Sequence, residues 1–119
     1  MTRDEYIQTE VMQKCWHEIL PYAAETGFVC DKCKRKDIPA IESLMRPNFS
    51  TSPDAYELQQ FVLRADWWRE FNEYAWGKFL AERKSLGQMQ YILVGDFTKW
   101  CFDASRFAGL VAEFRGWKE

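Results

Sequence analysis

Cys30 and Cys33 are the residues whose type and spacing most directly invite chemistry. In Phe28-Val29-Cys30-Asp31-Lys32-Cys33-Lys34 two thiols stand three positions apart. At that spacing a tight turn can aim both sulfurs at one point while nearby amides support the thiolates. Two chemistries follow from such a pair, metal ligation and thiol redox exchange.

Locally the segment resembles one knuckle of a zinc ribbon or finger, a resemblance confined to these few residues. It implies zinc as cofactor, with Cys30 and Cys33 as ligands. A structural zinc site takes four ligands, and the chain has no second C-x-x-C and no H-x-x-x-H. Cys15, His17 and Cys101 are the remaining donors, unless a second subunit supplies the same knuckle. Cys15 and Cys101 fall on apolar stripes of expected helices, where cysteine behaves as a small hydrophobe. Cys15 and His17, two apart on an expected helix, would diverge by about 200° and not share an ion. Redox catalysis of the thioredoxin kind expects the pair at a strand-to-helix turn in a β-α-β setting. Nothing in the pattern supplies that setting.

Lys32, Lys34, Arg35 and Lys36 surround the pair and form the densest basic cluster. On a knuckle they could contact phosphates of nucleic acid. Asp31 and Asp37 bracket them, so a solvated loop is the plainer reading. The chain as a whole carries 16 basic and 18 acidic side chains, a net charge of -2, which offers polyanions no general attraction.

Other catalytic arrangements find little support. His17 is the single histidine, so any Ser-His-Asp or Cys-His constellation would have to use it. The six glycines are dispersed and form no phosphate loop. No acid pair stands at a recognisable hydrolase spacing. A non-enzymatic protein is therefore expected, with thiol chemistry at Cys30 and Cys33 as the exception to test.

The second notable set is aromatic. Trp67, Trp68 and Trp76 crowd the stretch from Ser52 to Leu86. Adjacent tryptophans on a helix diverge by about 100°, so both are core only if the helix is covered over a wide arc. Tryptophan and arginine are enriched at protein interfaces. Trp67, Trp68 and Trp76 with Arg64 and Arg69 are thus the candidate protein-binding residues, weighed against a broad buried face.

Helical periodicity positions these groups. Thr2 and Glu5 form a capping box for a first helix, whose stripe runs through Ile7, Val11, Met12, Cys15, Trp16 and Ile19 until Pro21. Ser52-Pro53-Asp54 reads as an N-cap, a proline at the first position and an acid in the first turn. Leu58, Phe61, Val62, Ala65 and Trp68, then Phe71, Ala75 and Phe79, continue a 3.6-residue face. A bend is expected at Asp66, which could cap a second helix. Gly77 suggests close approach of another helix. Pro39 to Met45 reads as a short helix. Met89, Ile92, Leu93, Phe97, Trp100 and Cys101 favour a helix, although Tyr91 to Val94 could be a strand. Asp103 caps a last helix that ends at Gly116.

With 119 residues, 47% of them hydrophobic, the chain is long enough for one core without disulfides. The expected architecture is an all-α compact bundle of five to six helices in a single domain, 1–119, with an irregular Cys-x-x-Cys loop between the first two. The alternative is α+β, with a small sheet using 28–30 and 90–94. No run approaches the ~18 apolar residues of a membrane span, and the polar start lacks a secretory pattern. A cytoplasmic location is expected.

Two functions from different classes remain. One is an interaction module, an adaptor, inhibitor or accessory regulator that binds a protein partner through its tryptophan-rich helices. The other is a zinc-stabilised nucleic-acid-binding regulator using Cys30, Cys33 and the adjoining basic loop.

Overall fold

Residues 1–17, 19–24, 27–32, 46–87 and 94–118 are described in a computed structural model of the protein. Contacts group the chain into two compact units, Met1–Pro47 and Asn48–Glu119. The protein is helical, as the periodicity predicts, with five helical segments among the described residues. The first unit adds one two-stranded antiparallel ribbon.

Helix α1 (Arg3–Tyr6) starts where the capping box places it, with Thr2 Oγ1 accepting from the Glu5 amide at 3.2 Å. It runs on as a π-helical stretch, Ile7–Val11, burying Ile7 and Val11. The expected continuation to Leu20 does not occur. The Met12 amide bonds the Ile7 carbonyl at 2.9 Å, and Gln13 takes a left-handed φ of 57°. The Lys14 amide then turns back to the Gln8 carbonyl at 2.8 Å. This is a Schellman-like closure widened by the π turn, and it satisfies carbonyls that the helix end leaves open. The Gln8 side chain secures the exit by donating to the Cys15 carbonyl at 3.3 Å. Residues 13–17 belong to no helix or strand.

Strands β1 (Ile19–Ala24) and β2 (Gly27–Cys30) follow. Ile19 pairs with Cys30, Ala23 with Phe28 and Ala24 with Gly27, the register shifting between the first two pairs. Pro21 lies in that shift. It has no amide to give a ladder, so it interrupts strand pairing, whereas the helical periodicity predicts that it ends a helix. The 28–30 segment thus pairs with residues 19–24. Its alternative partner, 90–94, falls almost wholly outside the described residues, as do Pro39 to Met45.

The second unit is built from α2 (Asp54–Arg64), α3 (Trp68–Ser85), α4 (Val94–Cys101) and α5 (Ala104–Phe114). Asn48 organises the loop before α2. Its side-chain oxygen accepts from the Ser50 amide and its carbonyl from the Thr51 amide, while the Asn48 amide donates to Asp54 Oδ2. Ser52 is not the N-cap. Pro53 holds that place, and the Thr51 carbonyl takes the Ala55 amide at 2.8 Å.

The expected break after α2 is present, one residue early. Ala65, extended at ψ 146°, makes the bend, and α3 starts at Trp68 without a side-chain cap, so Asp66 does not cap it. Gly87, at φ 69°, closes α3; Asp103 caps α5, its Oδ2 accepting from the Arg106 amide at 3.3 Å. At the far end Gly116, at φ 106°, lets the Trp117 amide reach the Ala112 carbonyl.

The core of this unit takes most of the predicted stripes, Leu58 and Val62 from α2, Phe71, Ala75 and Phe79 from α3, Phe97 and Cys101 from α4, and Phe107, Leu110 and Val111 from α5, and adds Ala55; Phe61, Ala65, Trp68 and Phe114 of the same stripes are half-buried. Each fully buried phenylalanine contributes roughly 2–3 kcal/mol of transfer free energy before entropy is counted. Gly77 is exposed, and a Cβ built on it meets nothing within 4 Å, so no helix among the described residues packs closely there. Gln59 Nε2 donates to the Phe102 carbonyl, and the Tyr74 hydroxyl donates to Glu113 Oε2 at 3.2 Å, tying α3 to α5. Burial and the Glu113 carboxylate hold the Tyr74 phenol above its usual range, against the lowering effect of Lys78. No helix among the described residues is long and apolar enough to cross a membrane.

Candidate functional sites

Two places gather the residues singled out by sequence, one in each unit. In the first unit Cys15, His17 and Cys30 converge, their ligand atoms all within 4.8 Å of one another. The sulfurs of Cys15 and Cys30 are 3.8 Å apart. Cys30, at the end of β2, is fully buried; Cys15 and His17 are half-buried.

This overturns the helical placement of Cys15 and His17. Because the chain leaves the helix at Met12, the two residues stand at alternate positions of a non-helical segment, where i and i+2 can face the same side. The β1–β2 pairing then returns Cys30 opposite Ile19, two positions beyond His17. Arg46 braces this segment from outside. Its guanidinium donates to the His17 carbonyl at 3.3 Å and lies 5.1 Å from the centre of the Trp16 ring.

Cys33 lies outside the described residues, so its partnership with Cys30 rests on spacing alone. The same holds for Lys34, Arg35 and Lys36. Lys32 is exposed, with its Nζ 3.6 Å from Glu5 Oε1. Among the described residues the basic cluster is therefore one lysine already engaged with a carboxylate.

Cys101 stands apart from this chemistry. It is buried in α4, and burial pushes its thiol up to about 11, with Arg106 opposing. A thiol so protonated at neutral pH is a packing residue and a poor metal ligand or nucleophile.

The second place is the α2–α3 junction. Trp67 packs edge-on to Phe71 at 6.2 Å and against Phe114 at 5.8 Å, and the Arg115 guanidinium sits 4.9 Å from its ring centre. Trp68 also packs on Phe71, tilted, with ring centres 5.9 Å apart. Both tryptophans remain half-exposed, beside the exposed Leu63, Arg64 and Arg69. Trp76 belongs to a different cluster, stacked on Phe97 and edge-on to Phe79. Its neighbour there, Trp100, donates its Nε1 hydrogen to Glu82 Oε2 at 2.7 Å. Arg115 was invisible to the sequence reading, because nothing local joins it to a tryptophan in another helix.

Compared with protein-family models, curated proteins and solved structures, the chain matches none.

Proposed function

We propose that the protein is a non-enzymatic interaction module that binds a protein partner at the α2–α3 junction. The observation that supports this reading is the half-exposed pair Trp67 and Trp68, set among Leu63, which is 43% exposed, Arg64, Arg69 and Arg115. Tryptophan and arginine are enriched among the residues that supply most of the binding free energy at protein interfaces, the one through a large rigid ring and the other through a planar guanidinium that is weakly hydrated and donates several hydrogen bonds. Here the rings are already held by Phe71 and Phe114, so little ordering cost remains at association. Trp76, half-buried like Trp67 and Trp68, is stacked on Phe97 in the α3–α4 cluster and stands outside the proposed surface.

A photo-crosslinking residue placed at Arg69 in the otherwise native chain tests this proposal in extract of the source cells. One discrete protein adduct is expected, lost when Trp68→Ala or Arg64→Ala is added and retained with Lys84→Ala, an exposed change near the far end of α3. Adducts unaffected by Trp68→Ala and Arg64→Ala together would overturn it.

A further inference from the structure

We propose that Cys15, His17 and Cys30 bind one Zn²⁺ ion that fastens the segment after α1 to the end of the β-ribbon. The case begins with distance. Two thiolates each about 2.3 Å from zinc, across a tetrahedral angle, stand about 3.8 Å apart, and a thiolate and an imidazole nitrogen about 3.5 Å apart. The Cys15 and Cys30 sulfurs are 3.8 Å apart, and every pair in the trio lies within 4.8 Å. A disulfide would need a sulfur separation near 2 Å; at 3.8 Å the two thiols are within hydrogen-bonding reach of each other, a spacing that also fits two ligands of one ion.

The donor set selects the metal. Two sulfurs and one imidazole are soft to borderline donors, suited to zinc and unsuited to calcium or magnesium, which take oxygen. On binding, two S–H bonds are exchanged for two Zn–S bonds, the imidazole adds one Zn–N bond, and both thiol protons pass to solvent. Cys33, three positions after Cys30, is the donor that spacing offers for a fourth place. It lies outside the described residues, and the inference rests on the other three.

The local fold gives the ion a task. The unit Met1–Pro47 is short, in the range where metals or disulfides commonly supplement a small core. Its described buried side chains are Ile7, Val11, Met12 and Cys30. Residues 13–17 gain nothing from a helix or strand ladder. An ion held by two residues of that segment and one from β2 would close the loop between them and remove much of its freedom in the unfolded chain.

The test uses the full, tag-free chain. Elemental analysis after zinc loading and dialysis is expected to give about one zinc per chain, and cobalt in its place to give the intense visible absorption of a tetrahedral thiolate site. Zinc is expected to slow alkylation of Cys15 and Cys30 at least ~10-fold in the wild-type protein, a readout that needs no variant. Cys15→Ser and His17→Asn should weaken zinc binding by on the order of 10-fold or more, whereas Cys101→Ser should leave it unchanged. Less than about 0.1 zinc per chain with helices intact, or unslowed alkylation, would overturn the site and leave a reduced thiol pair. About half a zinc per chain would overturn it too, placing the ion between two chains.

Discussion

The indole of Trp76 lies face to face with the ring of Phe97, centroids 4.0 Å apart and planes 9° from parallel. One tryptophan of the α3 stretch therefore serves to hold α4 in place. Phe79 packs edge-on to Trp76, Phe97 and Trp100, and the Arg83 guanidinium lies 5.0 Å from its ring. Trp76→Ala removes the central face of this cluster and should destabilise the second unit by roughly 2–4 kcal/mol. Urea denaturation followed by circular dichroism checks this. A cost below ~1 kcal/mol would mean that the stack contributes little.

Cys101 links stability to alkaline pH. Its thiol is raised to about 11 in the folded protein, so the fold favours the protonated form. The stabilisation is complete below the ordinary thiol value near 9 and is lost as pH rises from there through 11. Denaturation midpoints should fall over that window by an amount equivalent to on the order of 1–2 kcal/mol. In Cys101→Ala the fall should be visibly shallower, with the cavity cost added at every pH. Equal slopes in the two proteins would refute the assignment.

Asp103 supplies the side-chain cap of α5, accepting from the Arg106 amide. Asp103→Ala leaves that amide without the carboxylate and should cost about 1 kcal/mol, while Asp103→Asn or Asp103→Ser should recover most of the loss. Thermal melts of the three variants check the order.

Gln13 sits at φ 57°, a left-handed backbone that costs a residue with a Cβ about 1 kcal/mol. Gln13→Gly relieves that strain and concedes part of the gain to unfolded-state entropy, for a net stabilisation of roughly 0.5 kcal/mol. Gln13→Val should destabilise. Amide hydrogen exchange over residues 7–14 reads both, and a glycine variant less protected than wild type would contradict the turn.

The sequence reading was most secure in the second unit, because each helix there buries a stripe that repeats every three or four residues. Leu58 and Val62, Phe71 and Phe79, and Phe107 and Val111 were legible on that ground alone, as was the Asp103 cap, which depends only on contacts within one turn. The end of α1 was not. Its apolar positions continue at helical spacing to Ile19, and the turn that stops it uses glutamine, with neither glycine nor proline to mark it. The placement of Cys15 and His17 failed with it, since their convergence with Cys30 depends on the chain having left the helix. Arg115 on Trp67 was out of reach for another reason: two positions almost fifty residues apart meet only after α3 and α5 have packed.

Trp16 stands between Cys15 and His17, while the other five tryptophans, at 67, 68, 76, 100 and 117, all belong to the second unit. The chain's indole fluorophores are thus divided unevenly, one at the thiol–imidazole cluster and five in the other unit. Replacing Trp16 with phenylalanine and subtracting the spectra would isolate a single optical probe beside the Arg46 guanidinium. Quenching of that one component by a paramagnetic ion would register events at the cluster while the emission from the remaining helices served as an internal reference.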